Sequence, residues 1–166
     1  MKKTLIVIDM QNDFIDGSLG TAEAVKIVPN VRKKIEEYRS NGDEIIFTRD
    51  THGEDYLSTP EGKKLPVVHC VKNTHGWQIA DGLDVPDAIH IDKSSFGYTH
   101  WDKFCFEKIE LVGLCTDICV VSNALILKAL FPNAEISVDS ACCAGVTPET
   151  HNSALATMKM CQIDVV

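Results

Sequence analysis

The sequence predicts a three-layer α/β/α fold built on a mostly parallel, Rossmann-like sheet of five to six strands. Three observations predict it. Short β-branched apolar runs alternate with stretches of helical spacing, the pattern of a parallel sheet covered by helices on both faces. The first run, "LIVI", is apolar at every position, as a central strand buried on both sides must be. The chain has 166 residues, is 45% hydrophobic and shows no repeat, low-complexity segment or linker. That is the size of one domain spanning 1–166, able to bury a sizeable core without staples.

"TLIVID" (4–9) is a strand ending in a carboxylate. "KIVPNVRKKIEEYRSNG" (26–42) has helical spacing through Val31, Ile35 and Tyr38, with Asn41-Gly42 as its stop. "EIIFTRD" (44–50) is the next strand. A polar stretch (51–87) rich in Gly, Pro and His follows, and a connection this long is often functional. "AIHIDK" (88–93) and "IELVGL" (109–114) are strands, and "TDICVVSNALILKALF" (116–131) is a helix apolar on nearly every face. "AEISVDSAC" (134–142) is a strand. "TPETHNSALATMKM" (147–160) is a helix capped by Thr147 with Pro148 at its first position. "IDVV" (163–166) is a last short edge strand.

A formal net charge of −8 argues against a nucleic-acid backbone or an anionic membrane surface as the main partner, and leaves small molecules and proteins open. The apolar run of "MKKTLIVIDMQNDF" is broken by Asp9, so it is not read as a leader peptide, and no stretch reaches the roughly 18 apolar residues of a membrane span. A cytoplasmic protein with reduced thiols is expected. The seven cysteines form no metal clip, since neither Cys115-x-x-x-Cys119 nor Cys142-Cys143 has a usual zinc spacing.

Parallel sheets bind ligands beyond the carboxyl ends of their strands. Asp9, Asp50, Lys93 and the turn from Cys115 to Cys119 all fall at or just after such ends. Thr116 or Asp117 would cap the helix and put Cys119 in its first turn, where backbone N–H groups favour a thiolate and could hold an oxyanion. From position alone Cys119 reads either as that nucleophile or as a small packing residue. Lys93 reads as a solvated strand-end lysine or as a cation beside a thiolate. Asp9 reads as a loop cap or as a proton shuttle of raised pKa. Asp50, His52, Glu61 and His69 read as a metal set suited to Zn, Fe or Mn, or as scattered polar loop residues. His90 and His151 read as structural or surface histidines. Neither a GxGxxG nor a phosphate loop is present.

Five segments in order, "VIDMQNDFIDG", "FTRDTH", "PEGKKLPVVHC", the lysine of "IDKSSFGYT" and "VGLCTDICVVSNAL", resemble the isochorismatase-like cysteine hydrolase superfamily, and its nicotinamidase branch in particular. The resemblance covers nearly the whole chain. It implies an Asp–Lys–Cys triad of Asp9, Lys93 and Cys119, with Cys119 as nucleophile. It implies a cis peptide at Leu114–Cys115 and an oxyanion held by the backbone N–H groups of Cys115 and Cys119. It implies a divalent metal, zinc with iron or manganese as alternatives, on Asp50, His52, Glu61 and His69, and Phe14 as an aromatic wall for the substrate. Pro66-Val67-Val68 supplies no second aromatic, and Asn73-Thr74-His75-Gly76 replaces the more usual Gly-Thr-x-Gly.

The activity implied is hydrolysis of a small amide, nicotinamide to nicotinic acid and ammonia, through a thioester on Cys119. The alternatives are another small amide or a vinyl ether on the same fold, a non-catalytic binding domain, and a thiol redox sensor using Cys115 and Cys119. Isochorismate-type members lack the metal, so Asp50, His52 and His69 argue against that branch. Dimers or larger assemblies are common in the superfamily, so a homo-oligomer is a further expectation.

Overall fold

The computed structural model describes residues 3–166. Met1 and Lys2, part of the stretch weighed as a leader, lie outside them. Strands β1 (Lys3–Ile8), β2 (Glu44–Asp50), β3 (Ile89–Lys93), β4 (Lys108–Leu114), β5 (Glu135–Ala144) and β6 (Asp164–Val165) form one sheet in the order β3-β2-β1-β4-β5-β6. Every pairing is parallel, where a mostly parallel sheet was expected. The helices are α1 (Asn12–Ile15), α2 (Ala22–Asn41), α3 (Pro60–Lys64), α4 (Val121–Leu130) and α5 (Pro148–Met160).

Alternation along each strand builds two cores. Leu5 and Val7 of β1 join Phe47, Val112 and the buried face of α2 (Ala24, Ile27, Val31, Ile35, Tyr38) on one side. Ile6 and Ile8 join Ile46, Leu111, Trp101 and residues of α4 and α5 on the other. β1 is therefore buried on both faces, which explains its unbroken apolar run.

Helix α2 begins one turn earlier than the spacing suggested. Thr21 Oγ1 accepts from the Ala24 N–H and sets the start, while Gly42 closes the other end in the left-handed region (φ 72°). Pro29 lies inside the helix on its exposed side. Helix α5 matches expectation, with a reciprocal Thr147–Thr150 capping box and Pro148 at its first turn. The 51–87 connection is folded: it carries a 3₁₀ turn (Tyr56–Ser58) and α3, neither of which the polar sequence announced.

Gly113 decides how β4 passes β1. Its φ is 120°, and a Cβ there would lie 2.1 Å from the Ile8 carbonyl oxygen, so only glycine fits. Beside it β5 bulges: Leu111 pairs with Val138, but Gly113 pairs with Cys143. Among the described residues no helix is long and apolar enough to cross a membrane.

Candidate active site

Sheet order brings four chemically capable strand ends side by side. β3, β2, β1 and β4 are successive neighbours, and they end at Lys93, Asp50, Ile8 (with Asp9 next) and Leu114. Asp9 leaves β1 in the left-handed region (φ 47°), which few residues other than glycine, asparagine and aspartate enter. Its N–H donates to the Thr48 carbonyl at 3.2 Å, and its Oδ1 accepts from Thr48 Oγ1 at 2.7 Å. Lys93 Nζ lies 2.6 Å from Asp9 Oδ2. It also donates to the Ser95 carbonyl (3.2 Å) and to Cys119 Sγ (3.5 Å), and lies 3.9 Å from Asp50 Oδ1. Lys93 is 3% exposed, so the solvated strand-end reading of this lysine does not hold.

Burial and neighbouring charge set the protonation of this trio. Burial pushes the Asp9 carboxyl above its ordinary value; Lys93 pulls it down and Asp50 pushes it up. Burial works against the Lys93 charge, but Asp9, Cys119 and Asp50 outweigh it and hold the ammonium charged. Burial raises the Cys119 thiol well above its ordinary value, the Asp9 charge adds to this, and Lys93 opposes it. The resting cysteine is thus a thiol beside a carboxylate of raised basicity, a pairing suited to proton transfer.

Leu114–Cys115 is a cis peptide bond. Residues Thr116–Val120 form a π-helical turn that leads into α4, with the Val120 N–H donating to the Cys115 carbonyl at 3.0 Å. Neither Thr116 nor Asp117 caps it, contrary to the sequence reading. Thr116 is buried with its hydroxyl 2.7 Å from His151 Nδ1, and the Asp117 carboxylate accepts from the Val146 N–H. Tertiary partners outcompete the local cap for both side chains. His151 is therefore a half-buried structural residue that braces this turn. His90 stacks on Phe47, with ring centroids 5.3 Å apart.

Asp50, His52, Glu61 and His69 converge, with one donor atom of each within 4.8 Å of all the others. His52 Nε2 lies 2.9 Å and His69 Nε2 3.6 Å from Asp50 Oδ2, and they lie 3.7 and 3.9 Å from Glu61 Oε1. The His69 Nδ1 sits 2.7 Å from the Val67 carbonyl, which can only accept, so Nδ1 carries a proton and Nε2 is the nitrogen that faces Asp50 and Glu61. Tyr56, fully buried, packs edge-on against both imidazoles at 4.7 and 4.8 Å. Gln11 locks Asp50 by accepting from its N–H and donating to its carbonyl, both at 2.8 Å. Burial pushes the Asp50 carboxyl up, but bonds from His52 and His69 and the Lys93 charge hold it well below the usual range. Two imidazole nitrogens and two carboxylates, with one histidine tautomer already oriented, fit a divalent transition metal.

Within Asn73-Thr74-His75-Gly76, the glycine has a packing reason. Gly76 lies so close to Asp13 that a Cβ would fall 2.0 Å from Asp13 Oδ2, and that oxygen accepts from the Cys70 N–H beside His69. A cavity of about 260 Å³ opens over both clusters and is lined by Asp50, His69, Cys115 and Cys119 below apolar walls. Phe14, on α1, supplies one wall, its ring 5.5 Å from that of His69. Phe96 supplies a second aromatic wall that sequence reading missed. Pro66-Val67-Val68 supplies none, and the chain brings Phe96 in from just beyond Lys93.

Comparison with known proteins gives the family and the fold. Residues 3–166 match the isochorismatase domain. The chain is 26% identical to the nicotinamidase of Saccharomyces cerevisiae, over 99% of each chain. It is 33% identical to a probable inactive nicotinamidase of Arabidopsis thaliana, over 93% of this chain and 87% of that one. The crystal structure of the pyrazinamidase of Pyrococcus horikoshii in complex with zinc superposes with a TM-score of 0.83 at 28% identity, covering 100% of this chain and 99% of that one. The chain belongs to the isochorismatase family and is a hydrolase of that family.

Proposed function

We propose that this protein is a metal-dependent cysteine amidase of nicotinamidase type, acting on a small aromatic amide with nicotinamide as the first candidate. One observation carries the reading: Lys93 Nζ bridges Asp9 (2.6 Å) and Cys119 (3.5 Å), and Cys119 lines a cavity that Asp50 and His69 also line. One member of the Asp–Lys–Cys set, Cys119, and two of the four metal-set residues, Asp50 and His69, open into the same largely apolar chamber.

In this mechanism Asp9 takes the thiol proton of Cys119, and the Lys93 ammonium stabilises both the thiolate and the carboxylate it faces. The thiolate sulfur adds to the amide carbon, and the backbone N–H groups of Cys115 and Cys119 hold the oxyanion. Asp9 returns its proton to the leaving nitrogen, the C–N bond breaks, and ammonia departs from a thioester. Asp9 then takes a proton from water as its oxygen adds to the thioester carbon. Collapse releases the carboxylic acid and restores the Cys119 thiol. A divalent metal on Asp50, His52, Glu61 and His69 would bind a ring nitrogen of the substrate and so orient its carboxamide. Phe14 and Phe96 flank a flat ring and exclude water from it.

Ammonia release from nicotinamide, other aromatic amides and aliphatic amides tests the reading, with chelated protein and with protein supplied with Zn, Fe or Mn. Release from an aromatic amide that depends on metal is expected. Reduced, metal-supplied protein that releases none from any aromatic amide would overturn it.

A further inference from the structure

Asn123 is fully buried one helical turn beyond Cys119, and all four hydrogen-bonding positions of its amide are used. Its Oδ1 accepts from the Tyr98 N–H at 2.9 Å and from the Trp101 indole Nε1 at 3.0 Å. Its Nδ2 donates to the Phe96 carbonyl at 3.1 Å and to the Cys119 carbonyl at 2.8 Å. The orientation of the amide follows from its partners, since the two N–H groups can only donate and the two carbonyls can only accept. Three of the partners belong to the stretch that follows Lys93. The fourth is the backbone of the proposed nucleophile.

Lys93 ties the same two pieces of chain together. Its Nζ donates to the Ser95 carbonyl and to Cys119 Sγ. Residues 94–101 and the Cys119 turn are therefore fastened twice, at Lys93 and at Asn123. Phe96 takes one of the Asn123 bonds at its carbonyl, but the residue is 45% exposed, so little packing of its own holds its ring on the cavity wall. A side chain in that state depends on its backbone for its position.

We propose that Asn123 is a positioning residue, which sets the separation between Cys119 and the segment that carries Lys93 and Phe96. The proposal rests on the hydrolase reading only in taking Cys119 as the nucleophile. Two substitutions divide its work. Asn123→Ala removes all four bonds. Asn123→Thr leaves a hydroxyl that can bond back to the Cys119 carbonyl four residues earlier, but releases the 94–101 segment.

Well below the melting temperature, Asn123→Ala is expected to lower kcat roughly 100-fold, the scale of loss when a reacting group is misplaced by about 1 Å. Asn123→Thr is expected to raise KM about fivefold, the equivalent of one lost aromatic wall contact, and to keep most of kcat. A residue that only supports the fold would lower the melting temperature of both variants and leave kcat and KM of the folded fraction unchanged; that result overturns the proposal. Amide exchange at Tyr98 in the unaltered protein tests the clamp even if neither variant folds. Protection is expected, and exchange at the rate of a free loop overturns it. Should the unaltered protein release ammonia from no amide, the hydrolase reading fails, yet iodoacetamide alkylation of Cys119, read by peptide mass, still tests the clamp. Alkylation about tenfold slower in Asn123→Ala than in the unaltered protein supports it, and equal rates overturn it.

Discussion

The Lys93 ammonium lies 2.6 Å from the Asp9 carboxylate, and both side chains are buried. Neither charge has water to fall back on, so each depends on the other.

Replacing Lys93 by Met leaves Asp9 buried and unpaired at neutral pH. Breaking a buried pair in this way typically costs about 3–5 kcal/mol. The sign of the pH dependence follows from Asp9. Its folded-state pKa already lies above the ordinary value because of burial, and loss of Lys93 raises it further. A group with a raised folded pKa stabilises fully below its unfolded value, and that stability is lost as pH rises through the folded one. The deficit of Lys93→Met against the parent should therefore be small near pH 4.5 and grow towards pH 7. Urea midpoints at the two pH values measure it; a deficit that is constant across the range would contradict the pairing.

The two cysteines of the π-helical turn should separate completely. Cys119→Ala is expected to lower kcat on the order of 10⁶-fold, as loss of a nucleophile does elsewhere. Cys115→Ala should keep kcat within roughly threefold, because its proposed part is played by a backbone N–H. Steady-state ammonia release distinguishes them. An inactive Cys115→Ala protein that still folds would point instead to chemistry at that sulfur.

Metal affinity should fall with acid, starting above the ordinary histidine range. Burial lowers the His69 pKa, but bonds to Asp50 and the Val67 carbonyl, with the Glu61 charge, raise it overall. Protons therefore compete for His69 from a higher pH than for a free imidazole. Zinc titrations against a chelator at pH 6 and pH 8 should show weaker binding at pH 6 in the parent. Replacing His69 by Ala should reduce both the affinity and this pH dependence.

Phe96→Ala should act on binding of the ring and not on the chemical step. Loss of one aromatic wall corresponds to about 1 kcal/mol, or several-fold in KM. Nicotinamide should show that rise while an aliphatic amide, if turned over at all, should not. Equal changes for both substrates would place Phe96 outside the ring-binding wall.

The positions of Asp9, Asp50 and Lys93 were legible in the sequence because strand periodicity marks where each strand ends, and a parallel sheet sends all its strands out on one edge. β2 and the Thr147 cap likewise match, since apolar runs and capping side chains act over a few residues. The start of α2 was set a turn early by Thr21, a local signal that the apolar spacing alone passed over.

What only the tertiary structure decided are the contacts between segments distant in sequence. Thr116 and Asp117 carry good capping side chains, yet His151 and Val146, about thirty residues away, claim them. Tyr56, placed by the fold against two histidines, and Phe96, delivered to a cavity that Phe14 closes from the far end of the chain, carry no sequence pattern of their own. Nor does Asn123, whose four partners come from one stretch more than twenty residues away and from the helix turn before it. Periodicity is a local property and specifies which face of an element is buried. Which groups then meet across that buried space depends on strand order and loop path, which no short window of sequence contains.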